Sequence, residues 1–87
     1  MNKNAQFIVK FNNLENCCRR LTVIYGRVSN PVLVFAETLP PEECEQLKRL
    51  QHLYNMICHV NDKIQPTDAE MQNLEKFLQL AKAQLAN

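Results

Sequence analysis

Apolar residues recur along the first part of the chain at alternating intervals of four and three positions. This spacing keeps them on one side of an α-helix, so we predict a first helix from about Asn4 to Tyr25. Its predicted core side consists of Phe7, Phe11, Leu14, Cys18, Leu21, Tyr25 and Val28. Gly26 suits the position just beyond the helix, where a left-handed residue is common.

A short second helix is predicted after the turn Ser29-Asn30-Pro31. Asn30 suits the cap of this helix and Pro31 its first position, where the missing N–H costs nothing. Its apolar positions are Val32, Phe35, Ala36 and Leu39. Pro40-Pro41 then ends this element and starts the next.

Two longer helices are predicted in the second half of the chain. The third helix begins after Pro41 and ends near Ile64, since Gln65-Pro66 is a break. Thr67 and Glu70 match a capping box at the start of the last helix, which ends near Asn87. The short link between these two helices predicts an antiparallel hairpin.

We therefore predict an all-α fold for residues 1–87 as a single domain. It is a small helical bundle of three long helices and one short helix, with the hairpin at its C-terminal end. An α+β fold is the alternative, because Phe7–Phe11, Leu21–Tyr25 and Val32–Phe35 are rich in β-branched and aromatic residues. In that fold residues 6–35 would form a small N-terminal sheet.

Composition favours an intracellular protein outside the membrane. No apolar run approaches the ~20 residues of a membrane-spanning helix, and the N-terminal residues lack the features of a signal peptide. We therefore expect a cytoplasmic protein, and in that reducing compartment its four cysteines would serve as small buried apolar residues. Their spacing matches no zinc-binding motif.

The residues that carry chemistry in most enzymes form no recognisable site in this sequence. His52 and His59 lie seven positions apart, about 10 Å along a helix, which is too far to share a metal ion. Cys44 is surrounded by glutamates, and Cys18 lies on the predicted core side. We predict a protein with no enzymatic activity, no metal, no cofactor and no small-molecule substrate.

Charge is distributed unevenly between the two halves of the chain. Residues 1–35 carry five basic residues and one acidic residue, a net +4, whereas residues 36–87 carry five basic and eight acidic residues, a net −3. This asymmetry favours attraction between the halves, within one fold or across a dimer. The alternative is a nucleic-acid-associated regulator that uses Arg19, Arg20, Arg27 and nearby lysines.

A second apolar side of the first helix indicates a binding surface. Val9, Asn16 and Val23 repeat at seven-residue intervals opposite the core side, and Ile8 and Ile24 flank them. Asn61 interrupts the apolar side of the third helix, as polar residues that fix helix register do. We predict a partner-binding surface formed by Val9, Asn16, Arg20, Val23 and Arg27.

These features together predict a small interaction protein: a regulator, an adaptor or a chaperone of the secretion type. It would bind a protein partner, or a second copy of itself as a homodimer, through an apolar helix face. A helix that runs through the middle of a self-contained bundle is the alternative explanation of the two apolar sides.

Overall fold

Four α-helices follow one another in the computed structural model, which describes residues 2–59 and 63–87. They are α1 (Lys3–Leu21), α2 (Pro31–Ala36), α3 (Pro41–His59) and α4 (Asp68–Ala86), and a 3₁₀ turn spans Val23–Tyr25. The described residues contain no strand. The all-α prediction is confirmed, and the alternative N-terminal sheet over residues 6–35 does not form.

The N-terminal caps of α2 and α4 lie where the sequence predicts them. The side chain of Asn30 accepts a hydrogen bond from the backbone N–H of Leu33 at 3.3 Å, with Pro31 as the first residue of α2. Thr67 and Glu70 form the capping box of α4 through hydrogen bonds of 3.1 and 2.8 Å. In both caps, side chains accept hydrogen bonds from backbone N–H groups at the helix start that have no partner within the helix.

The core is built from one side of each of the four helices. Its buried apolar side chains are Phe7, Phe11, Leu14, Cys18, Val32, Phe35, Ala36, Leu47, Leu50, Ile57, Leu74, Phe77, Leu78 and Ala81. Helix α1 packs most extensively against α4, and α2 lies against α1 and α3. The ring of Phe11 stacks on that of Tyr54, with 4.3 Å between the ring centroids.

Contacts between the long helices define their directions. Lys3 pairs with Asp68 and Lys10 with Glu75, so α1 and α4 run parallel. Tyr54 donates a hydrogen bond to the side chain of Asn12 at 2.8 Å, and Asn4, nearer the start of α1, donates to the carbonyl of Ile64 at 2.9 Å. Helix α3 therefore runs antiparallel to α1 and to α4, which gives the predicted C-terminal hairpin.

The predicted end of the first helix is wrong. Helix α1 ends at Leu21 rather than Tyr25, because Thr22 and the β-branched residues after it favour the helix less than the residues before them. Tyr25, which we expected on the core side, is consequently exposed.

Helix α3 is described as far as His59, and Ile64, its predicted end, is not helical. The proline at position 66 disfavours helical backbone at Gln65, and the carbonyl of Ile64 accepts the hydrogen bond from Asn4. The predicted register role of Asn61 lies outside the described residues.

Candidate partner-binding surface

The end of α1 is fixed by Thr22, whose side chain is buried. Its backbone N–H and its hydroxyl both donate to the carbonyl of Cys18, each at 2.9 Å. A threonine that bonds back to the preceding turn in this way competes with the next helical hydrogen bonds. The chain therefore leaves the helix here and enters the 3₁₀ turn.

Backbone hydrogen bonds hold the 3₁₀ turn in one conformation. The N–H of Tyr25 donates to the carbonyl of Thr22, and the N–H of Gly26 donates to the carbonyl of Val23, both at 3.0 Å. Gly26 has a φ of 79° and a ψ of −149°, a conformation that residues with a Cβ rarely adopt. The glycine predicted from the sequence to end the helix thus ends the turn instead.

The turn exposes three consecutive large apolar side chains, which we name the apolar turn. Val23 is 68% exposed, Ile24 81% and Tyr25 63%. Among the described residues, one further large apolar side chain, Val9 at 48%, is strongly exposed. Isolated exposed apolar residues are common on protein surfaces, whereas a cluster rimmed by polar groups is typical of a binding site.

Two arginines border the apolar turn on either side in sequence. Arg20 and Arg27 are both exposed, and neither makes an ion pair with a described residue. Arg19 lies 3.7 Å from Glu15, one helical turn away. The sequence contains no acidic residue between Glu15 and Glu37. We name the set Arg20, Val23, Ile24, Tyr25 and Arg27 the 20–27 surface.

The basic residues at the other end of α1 have partners. The amino group of Lys3 lies 2.8 Å from Asp68, and that of Lys10 lies 3.1 Å from Glu75. The hydrogen bond from Lys3 lowers the pKa of Asp68, and hydrogen bonds from Gln79 and Lys10 lower that of Glu75. Attraction between the halves of the chain therefore operates within the fold at these two positions.

The five predicted partner-binding residues are all exposed, but they do not share one continuous strip. Arg20, Val23 and Arg27 belong to the 20–27 surface, whereas Val9 and Asn16 lie on α1. Val9 stands twelve residues before the end of α1, about 18 Å along the axis. Because α1 ends at Leu21, Val23 does not continue the seven-residue repeat of Val9 and Asn16.

Sequence reasoning missed Tyr25 as a surface residue. Its spacing from Leu21 matched the core side, although four poor helix-forming residues, Thr22-Val-Ile-Tyr25, stand directly before Gly26. That run was the available signal for an early helix end. Ile8, expected on the flank of the outer side, instead packs against the core.

Thiol and imidazole groups were the other candidates for chemistry. Burial raises the pKa of Cys18 to about 12, so this thiol stays protonated at neutral pH. His52 and His59 are exposed on α3. Within residues 2–59 and 63–87, no three His, Cys, Asp or Glu side chains are grouped so that they could hold a metal ion.

An open groove of about 500 Å³ lies between α3 and the beginning of α4. Leu53 and Met56 supply its apolar side chains, and charged or titratable groups of both signs border it. These bordering residues are Glu45, Lys48, Arg49, His52 and Glu70. Such a mixed rim favours no particular charge on a ligand.

Comparison with known protein families, with characterised proteins and with solved structures gives no match to this chain. No helix in the described part of the chain is both long enough and apolar enough to cross a lipid bilayer. The functional argument therefore depends on the geometry of the surfaces described above.

Proposed function

We propose that this protein is a non-enzymatic interaction protein that recognises a protein partner through the 20–27 surface. It acts as a small regulator, adaptor or chaperone. The observation that carries this proposal is the exposure of three consecutive large apolar side chains, Val23–Tyr25, beside two arginines that form no ion pair within the described part of the chain.

Covering the apolar turn offers a substantial gain in free energy. Complete burial of one large aliphatic side chain contributes about 1.5–3 kcal/mol. Three side chains that are 63–81% exposed in the free protein would together contribute roughly 3–6 kcal/mol when a partner covers them. Each factor of ten in affinity corresponds to about 1.4 kcal/mol, so this surface is sufficient to dominate a protein contact.

The residue types of the 20–27 surface also favour protein recognition. Tyrosine and arginine are enriched among the residues that dominate binding free energy at protein interfaces. The hydrogen bonds from Tyr25 to Thr22 and from Gly26 to Val23 hold the turn in place before binding. A preformed surface loses less conformational entropy on association.

We further propose that the protein acts in the cytoplasm. Cys17, Cys18, Cys44 and Cys58 are all free thiols, and free thiols persist in a reducing compartment.

Capture experiments with three forms of the full chain test the proposal. Tagged wild type, Val23→Ser/Ile24→Ser and Val9→Ser are expressed in the native cell, and the captured proteins are quantified by mass spectrometry. We expect Val23→Ser/Ile24→Ser to retain its helicity by circular dichroism. The amount of the specific partner that it captures should fall by about tenfold or more. Val9→Ser is the matched control, since it also removes an exposed valine.

The two variants distinguish binding at the apolar turn from binding along α1 near Val9. If Val9→Ser loses the partner and Val23→Ser/Ile24→Ser does not, binding occurs along α1 rather than at the turn. If both variants retain every captured protein, the proposed surface is not used. A partner found to be a second copy of the chain would make the protein a homodimer.

Nucleic-acid association is the weaker candidate. Lys3, Lys10 and Arg19 lie next to carboxylates of the same chain, whereas Arg20 and Arg27 make no ion pair with a residue that the structure describes. Binding through phosphates would weaken steeply with added salt in a gel-shift titration. We expect no such binding at physiological salt.

A further inference from the structure

We infer that the partner's contact surface is an apolar pocket bordered by carboxylates, on a protein other than a second copy of this chain. This inference rests on the proposed function of the 20–27 surface. The proposed function says only that a partner covers the apolar turn. The inference adds that the partner is acidic at the contact and is not a second copy of this chain.

The charges around the apolar turn favour a partner with carboxylates. Arg20 and Arg27 stand seven positions apart with Val23, Ile24 and Tyr25 between them, and no acidic residue occurs from position 16 to position 36. A partner that covers the turn also removes water from the neighbouring guanidinium groups. An arginine that loses water without gaining an opposite charge opposes binding, whereas a carboxylate can accept two parallel hydrogen bonds from it.

The same charges disfavour a second copy as the partner. A two-fold symmetric contact centred on the 20–27 surface would bring this surface against its own copy. Two copies of the 20–27 surface would bring four arginines together with no carboxylate, because Glu15 already lies beside Arg19. A two-fold contact could instead pair the arginines with Glu42 and Glu45 at the start of α3 in the second copy. However, the described part of α3 has no strongly exposed large apolar side chain that could cover the apolar turn.

A protein with carboxylates fits the surface better than a nucleic acid does. Phosphate contacts use cations but leave aliphatic side chains such as Ile24 in water. The lysines that would extend a phosphate-binding band, Lys3 and Lys10, are engaged with Asp68 and Glu75. An acidic protein pocket satisfies both features of the surface at once.

Two synthetic helical peptides serve as probes for the full-length protein. Both carry the same leucine side, and they differ only in having Glu or Gln at the positions that border it. Binding is followed by fluorescence anisotropy at about 50 mM and about 300 mM salt, conditions that differ strongly in electrostatic screening.

We expect the Glu peptide to bind at least about tenfold more tightly than the Gln peptide at low salt, with a smaller difference at high salt. Arg20→Gln/Arg27→Gln should remove the difference between the peptides. The matched control is Arg49→Gln/Lys82→Gln, which removes two exposed cations from α3 and α4 and should leave the difference unchanged. Val23→Ser/Ile24→Ser should weaken both peptides.

Several results would overturn the inference. Equal binding of the two peptides, lost in Val23→Ser/Ile24→Ser, would leave the proposed function intact and refute an acidic partner. Absence of binding by either peptide refutes it as well, while the capture experiment still tests the proposed function. A dimer in sedimentation equilibrium that Ile24→Ser dissociates would identify a second copy as the occupant. Tighter binding of a DNA duplex than of the Glu peptide would identify a nucleic acid.

Discussion

At its N-terminal end, α1 presents Lys3 and Lys10 to carboxylates of α4, above a core that contains Phe7 and Phe11. At its C-terminal end, Arg20 faces solvent beside an apolar turn that nothing in the described chain covers. Both ends contribute to the same positive charge in the sequence, yet among residues 2–59 and 63–87 only the N-terminal lysines are matched by acids of another helix. The difference indicates that the N-terminal end of α1 serves the fold and that its C-terminal end is available to a partner.

The largest expected contrast between the two ends concerns apolar side chains. Phe7→Ala should lower the free energy of unfolding by about 3–5 kcal/mol, because it leaves a cavity between packed helices. Ile24→Ala should change it by no more than about 0.5 kcal/mol, since Ile24 is exposed. Urea unfolding followed by circular dichroism measures both. A large loss of stability in Ile24→Ala would mean that the turn packs within the fold.

Gly26→Ala tests whether the turn is held by backbone conformation. A Cβ at this position would contact nothing within 4 Å, so the expected cost comes from the positive φ alone. We expect a loss of about 1–3 kcal/mol in the free energy of unfolding. An unchanged urea midpoint would show that residue 26 adopts another conformation at no cost.

The smallest expected effect concerns the ion pairs at the N-terminal end. The pKa values of Asp68 and Glu75 are lowered in the fold, so the unfolded chain binds protons more readily. Their contribution to stability is therefore present above the ordinary carboxyl pKa and is lost as the pH falls through the lowered values.

Lys10→Gln should accordingly lower the free energy of unfolding at neutral pH by about 0.2–1 kcal/mol, as expected for an exposed pair. It should also reduce the dependence of stability on pH between neutral and acidic conditions. Arg20→Gln is the control, since Arg20 has no described ion pair. An equal effect of both substitutions would remove the distinction between the two ends.

Structural features that depend on a few neighbouring residues could be predicted from the sequence. The capping box at Thr67 and Glu70 and the proline at the start of α2 are each set by a few neighbouring residues, and both are correctly predicted. The buried apolar residues of α3 and α4, such as Leu47 and Leu50 or Leu74 and Leu78, also recur at helical spacing.

The end of α1 shows where such reasoning fails. Helical spacing continued through Tyr25 in the sequence, but local competition from the Thr22 hydroxyl ends the helix four residues earlier. The candidate surface was consequently predicted in part: Arg20, Val23 and Arg27 were named, whereas Tyr25 was assigned to the core. The pairing of Lys3 and Lys10 with α4 depends on the parallel packing of helices that are distant in sequence, which helical spacing within each helix does not define.

Site-specific photo-cross-linking tests the central claim most directly. A photoreactive amino acid replaces Ile24 in one full-length form and Val9 in another, and each form is irradiated in the native cell. The account predicts a discrete cross-linked adduct with a protein partner from position 24 and none from position 9. An adduct from position 9 alone, or none from either position, would contradict it.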